Sequence, residues 1–223
     1  MSEEKALTFD VEGSGTVSGL LILPPKAKAL YVLAHCAGAG MRQRFLEATA
    51  RGLERRGIGT LRYQFPYMEK GSKRPDRPPV AFATVRAAVA EAARLAPKMK
   101  LVAGGKSFGG RMTSGAEAEA HLAGIAGLVF LGFPLHPPGA PADTRGAHLS
   151  EVTVPMLFLQ GTGDEFAEMS LLRPLVERLA KRATLHLVEA ADHSFHVPAK
   201  SGRKDAEVLD EILDVMAAWI ERL

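Results

Sequence analysis

Short apolar runs alternate with amphipathic helical stretches along this chain. That alternation predicts a parallel sheet with helices on both faces. Residues 17–23 read as an early strand closed by Pro24-Pro25, and 30–34 as a buried strand. A helix follows over 42–56, with Phe45, Leu46, Ala50 and Leu53 on one face and Gly57 as its stop. The next strand is 58–65. Phe82, Val85, Val89 and Ala92 then recur at helical spacing until Pro97 ends the pattern. Strands at 100–103, 128–131, 156–159 and 184–188 complete the apolar set. Between them fall a helix rich in small residues (Gly109, Gly110, Ser114, Gly115, Ala116) and one marked by Leu172, Leu175, Val176 and Leu179. Val208, Ile212, Val215, Met216, Trp219 and Ile220 form the apolar face of a C-terminal helix. The expected architecture is α/β: a three-layer sandwich with a mostly parallel sheet, one domain over 1–223, and no room for a lid domain.

One junction in this pattern carries chemistry. The strand at 100–103 runs into Gly104-Gly105-Lys106-Ser107-Phe108-Gly109-Gly110. Gly105-x-Ser107-x-Gly109 is the spacing of a nucleophile elbow, where a strand turns sharply into a helix and leaves the serine hydroxyl exposed at the sheet edge. Two nucleotide-binding readings fail. The first glycine of a P-loop ending at Gly105-Lys106-Ser107 would fall at Lys100, and Gly13-Ser14-Gly15-Thr16-Val17-Ser18 lacks the third glycine of a dinucleotide fingerprint and follows no convincing buried strand.

An elbow serine needs a base and an acid, which in this architecture follow in the order serine, acid, histidine on loops after later strands. Asp164 lies after the strand at 156–159 and His193 after the strand at 184–188. The expected roles are Ser107 as nucleophile, His193 as general base and then acid, and Asp164 as the group that orients the imidazole. Glu165 is a rival acid and His196 a rival base. His121, His136, His148 and His186 read as surface or loop histidines. Backbone donors for a developing oxyanion would be the N–H groups of Phe108 and Ala37, the latter in His35-Cys36-Ala37-Gly38-Ala39-Gly40. His35, Cys36, Tyr67 and His136 are the expected pocket-lining residues. Two loops with four prolines each, 65–79 and 134–150, should wall the pocket.

Composition narrows the setting. The fractions of hydrophobic (47%) and charged (24%) residues are ordinary for a globular chain, and the net charge of +3 is interspersed rather than striped, which argues against nucleic acid as partner. The polar start Met1-Ser2-Glu3-Glu4-Lys5 is no signal peptide, no apolar stretch is long enough to span a bilayer, and the single Cys36 suits a reducing cytoplasm. No metal or cofactor is expected. The partner is a small-molecule substrate, and the protein a monomer or small homo-oligomer.

Taken together, the blocks Ala34-His35-x-Ala37-Gly38-Ala39, 62–68, 104–111, 133–139, Gly161-Thr162-Gly163-Asp164 and Asp192-His193-Ser194-Phe195 resemble a small α/β-hydrolase of the dienelactone-hydrolase-like kind. More narrowly, the chain is similar to a branch of compact hydrolase-like proteins that includes a regulatory subunit of a histone acetyltransferase complex. The resemblance implies the fold and the triad Ser107–Asp164–His193. A Cys36 where a glycine is usual departs from the pattern, as does a serine in place of the cysteine of dienelactone hydrolase proper. The expected activity is cleavage of a small ester, thioester or lactone through an acyl-enzyme. The alternative is a hydrolase-fold interaction protein whose triad is idle.

Overall fold

The apolar run at 30–34 forms β3 (Ala29–Ala34), with every residue buried. Its side chains alternate between two cores: Leu30, Val32 and Ala34 face one, Tyr31 and Leu33 the other. Such two-sided burial requires helices above and below the sheet. The computed structural model, which describes residues 1–223, supplies them. On one face pack α3 (Pro78–Leu95), α4 (Phe108–Glu119) and α5 (Met169–Leu179); on the other pack α1 (Arg44–Arg55) and α6 (Asp205–Arg222).

The remaining strands are β1 (Glu4–Val11), β2 (Gly15–Ile22), β4 (Ile58–Tyr63), β5 (Lys100–Lys106), β6 (Ile125–Leu131), β7 (Met156–Gly161) and β8 (Ala183–Val188). They form one sheet in the order β1-β2-β4-β3-β5-β6-β7-β8. β1 pairs antiparallel with β2 and β2 with β4, and every other pairing is parallel. This is the α/β-hydrolase architecture expected from the sequence. The C-terminal edges of β3 to β8 lie together, so the loops leaving them form one continuous rim.

Three features differ from the sequence expectation. β1 was not anticipated: only Phe9 and Val11 of its eight residues are buried, so its apolar signal is weak. The glycines at 13 and 15, both at positive φ, turn β1 back into β2. The proline-rich loop at 65–79 contains a short helix, α2 (Pro66–Glu69), and the loop at 134–150 ends in a 3₁₀ segment (Thr144–Glu151). Neither adds a layer over the rim. No helix is long and apolar enough to cross a membrane.

Candidate active site

β5 stops at Lys106 and α4 starts at Phe108, leaving Ser107 alone in the turn with φ 51° and ψ −115°. That region is costly for a residue with a Cβ, and it is the strained geometry of an elbow. Gly109 is what lets the elbow close. A Cβ there would stand 2.6 Å from the carbonyl oxygens of both Ala34 and His35, so only a glycine brings α4 against the end of β3.

The loops after β7 and β8 deliver two further side chains to Ser107. His193 Nε2 lies 2.8 Å from Ser107 Oγ, and His193 Nδ1 lies 2.7 Å from Asp164 Oδ2. An ionised carboxylate only accepts, so Nδ1 carries the proton and Nε2 is left to accept one from the serine. Asp164 is held from two other directions. Gln160 Nε2 donates to Oδ2 at 2.5 Å and the Phe166 N–H to Oδ1 at 2.8 Å. Its side chain is fully buried, whereas the imidazole keeps 19% of its surface and the serine is half-buried. Glu165 is exposed, and His196 is exposed and pairs with Asp205 at 2.9 Å, so neither rival shares this line.

A second serine–histidine contact exists: Ser114 Oγ and His148 Nε2 are 2.7 Å apart. It differs chemically. Ser114 is fully buried inside α4, and no carboxylate engages the other nitrogen of His148. Burial also lowers the His148 pKa to about 4.

A comparison with protein families gives the kinship of this fold. A model described as an alpha/beta hydrolase domain matches residues 27–221. The chain belongs to the alpha/beta hydrolase family. Solved structures agree on the fold. A dienelactone hydrolase from Anabaena variabilis superposes with a TM-score of 0.79 at 19% identity, over 99% of this chain and 97% of that one. A serine hydrolase without a lid from Xanthomonas campestris gives 0.74 at 22% identity, over 98% and 96%. An esterase domain of a Rhodothermus marinus protein gives 0.73 at 17%, over 99% and 98%.

Around Ser107 the expected pocket-lining residues need correction. His35 is wholly buried. Its Nδ1 donates to the Cys36 carbonyl at 2.8 Å, and its Nε2 accepts from the Phe65 N–H at 3.1 Å, so it fastens the loop after β3 to the end of β4. His136 is buried in the same manner, between the Pro137 carbonyl (2.9 Å) and the Glu168 N–H (3.2 Å). Both spend their nitrogens on backbone groups, and both side chains are buried. Tyr67 is also buried; its hydroxyl accepts from the Gly38 N–H at 3.3 Å and props the same loop. Cys36 alone of the four is partly exposed. Its backbone does not adopt positive φ, so a side chain fits there without strain, and its Sγ turns toward Gln43 Oε1 at 3.7 Å. Ala37 is exposed, and neither its N–H nor that of Phe108 is bonded within the protein.

Burial pushes the His35 pKa from 6.5 down to about 4. The unfolded chain therefore takes up a proton between pH 6.5 and 4 that the folded chain refuses, so stability falls as pH drops through that window and flattens below it. For His35 this amounts to about 3 kcal/mol. Urea unfolding at pH 7 and pH 4 should show a larger acid loss in the wild type than in His35→Gln. An equal loss would contradict the assignment.

Three residues that sequence reasoning missed complete the surroundings. Gln160 bridges Asp164 to the Phe133 N–H, which its Oε1 accepts at 2.8 Å. The Phe166 ring covers the imidazole with centroids 4.3 Å apart. Lys106, buried beside the nucleophile, donates its Nζ to the His193 carbonyl. The same Nζ lies 5.2 Å from the Phe195 ring centroid and 5.9 Å from that of Phe45, two rings stacked on each other. Burial pulls its pKa down to about 8, opposed by the charge of Asp164. Lys106 thus fixes the backbone that carries the imidazole. Lys106→Met keeps the apolar stem and removes that bond. It should lower kcat by up to about 10²-fold with little change in KM, through loss of histidine alignment. Steady-state kinetics with a thermal unfolding control checks this; an unchanged kcat would refute the positioning role.

Proposed function

We propose that the protein is a serine hydrolase that cleaves a small ester, thioester or lactone through an acyl-enzyme on Ser107. The observation that carries this reading is the hydrogen-bonded line from Ser107 Oγ through His193 to the buried Asp164. In this scheme His193 Nε2 takes the hydroxyl proton as Oγ adds to the carbonyl carbon. The N–H groups of Phe108 and Ala37, both free of protein partners, are the donors for the resulting oxyanion. The intermediate collapses by breaking the bond to the alcohol or thiol, which leaves with the proton from His193. Water, deprotonated by the same imidazole, then releases the acid and restores the serine. Asp164 stays ionised throughout and stabilises the imidazolium. No step calls for a metal or cofactor.

The open rim favours small substrates reached directly from solvent. The single cysteine supports a reducing, cytoplasmic setting, in one domain that acts as a monomer or small homo-oligomer on a small molecule. Kinship to the branch with a histone acetyltransferase subunit rests on the motif blocks, and with it the alternative of an idle scaffold. A fluorophosphonate probe separates the two. Labelling that disappears in Ser107→Ala supports the enzyme; absence of labelling, together with no turnover of short-chain 4-nitrophenyl esters, overturns it.

A further inference from the structure

A groove of about 330 Å³ opens between α3, α4 and the 3₁₀ segment Thr144–Glu151. No residue of the elbow turn, 104–110, lines it. Its walls are apolar: Pro78 and Phe82 come from α3, Met112 and Gly115 from α4. Gly115 decides how the ring sits. A Cβ there would stand 2.6 Å from Phe82 Cζ, so the bare backbone of α4 is what lets Phe82 lie directly on it. Phe82 is half-buried, and part of its ring is left as a wall of the groove.

Four titratable side chains also line this space, and three of them carry no free charge into it. Glu119 is exposed and held by Arg86, and Glu151 is exposed and accepts from the Ser150 hydroxyl at 3.1 Å. His148 is neutral near pH 7, since burial lowers its pKa to about 4, and its Nε2 is taken by Ser114 Oγ at 2.7 Å. Arg111 is the exception. It is half-buried and makes no ion pair or side-chain hydrogen bond, although the chain forms ion pairs through eight other arginines. A guanidinium is a planar fork of donors, a shape that suits a carboxylate held by two parallel bonds. Partly withdrawn from water, that charge gains more from such a partner than an exposed arginine would. The two carboxylates at the margin stand in solvent, where salt screens them.

We propose that this groove is a binding site, separate from Ser107, for a small aromatic carboxylate. The carboxylate pairs with Arg111 while the ring packs edge-on or offset against Phe82 and beside Met112. The volume suits one ring on a short chain, at the small end of ligand pockets. Charge and ring thus bind to different walls, and neither anchor alone accounts for the site. The proposal stands apart from the Ser107 reading, because no group of the Ser107–His193–Asp164 line takes part in it.

Calorimetric titration of the full chain with 3-phenylpropanoate tests this. The wild type should bind a single equivalent with Kd about 1 mM or tighter. 3-Phenylpropanamide, which lacks the charge, should bind at least about tenfold more weakly. Arg111→Gln should weaken binding of the acid by a similar factor, and Phe82→Leu, which keeps the wall apolar, by about threefold. Thermal unfolding shows whether each variant is folded, and either one alone carries the test. Binding should also be the same before and after reaction with a fluorophosphonate. No saturable binding to the wild type, equal binding of acid and amide, or an affinity unchanged in the folded variants overturns the proposal. Loss of binding on labelling overturns it too, because the ligand then sits at Ser107. A protein that binds the acid as expected but takes no label keeps the groove site, and the Ser107 reading alone fails.

Discussion

Ser107→Ala should lower ester turnover by about 10⁴-fold or more while leaving the fold intact. The loss is large because nucleophile and base act as a unit. Without Oγ, the imidazole 2.8 Å away has nothing to deprotonate, and only weak water attack in the oxyanion site survives. Stability should not suffer. Ser107 holds φ 51° at the elbow, and alanine bears the same Cβ in the same backbone. The measurement is kcat/KM on a 4-nitrophenyl ester beside a urea unfolding curve. A variant that keeps more than a tenth of wild-type activity would remove Ser107 from the chemistry.

The second large effect concerns folding. Gly104→Ala should destabilise by more than about 4 kcal/mol, enough to leave little soluble folded protein. Gly104 lies at φ 151°, and a Cβ on it would be driven into the carbonyl oxygen of Val129 on the neighbouring strand β6, with Tyr31 Oη 3.0 Å away. That oxygen belongs to backbone locked in the parallel ladder and already accepts the Tyr31 hydroxyl at 3.0 Å, so it has no cheap way to move. Gly105, at φ 159°, faces the same difficulty against Ala34 on β3. The two glycines therefore do more than permit a turn. They let β5 pass between its neighbours closely enough to deliver Ser107 to the rim. Expression and chemical denaturation of Gly104→Ala check this, and a variant within 1 kcal/mol of wild type would contradict it.

How far the fold could be read in advance follows from how each element is buried. β3, β5, β6 and β7 are covered on both faces, so they appear as unbroken apolar runs whatever their neighbours. β1 is an edge strand with two buried residues, and no run marks it. Ser107, Asp164 and His193 could be placed in order because they follow β5, β7 and the edge strand β8, whose short run 184–188 is still recognisable in the chain. The supports could not. Gln160 lies within β7 and reads as a strand residue; its role depends on Asp164 folding back four positions later. Lys106 stood out only as part of a failed P-loop match, since nothing local says that its amine will find the carbonyl of residue 193. His35 and His136 misled for a common reason. A histidine at a strand end beside a glycine- or proline-rich loop looks like a site residue, yet each ring here is consumed by two backbone groups.

The most direct test of the account is the position of a covalent adduct. The protein contains two serines within 2.8 Å of a histidine nitrogen, Ser107 at the elbow and Ser114 inside α4. After reaction with a fluorophosphonate, peptide mapping by mass spectrometry should find one modification, on Ser107. Its formation should be abolished in His193→Ala and retained in His148→Ala. An adduct on Ser114, or labelling that needs His148 and not His193, would contradict the account.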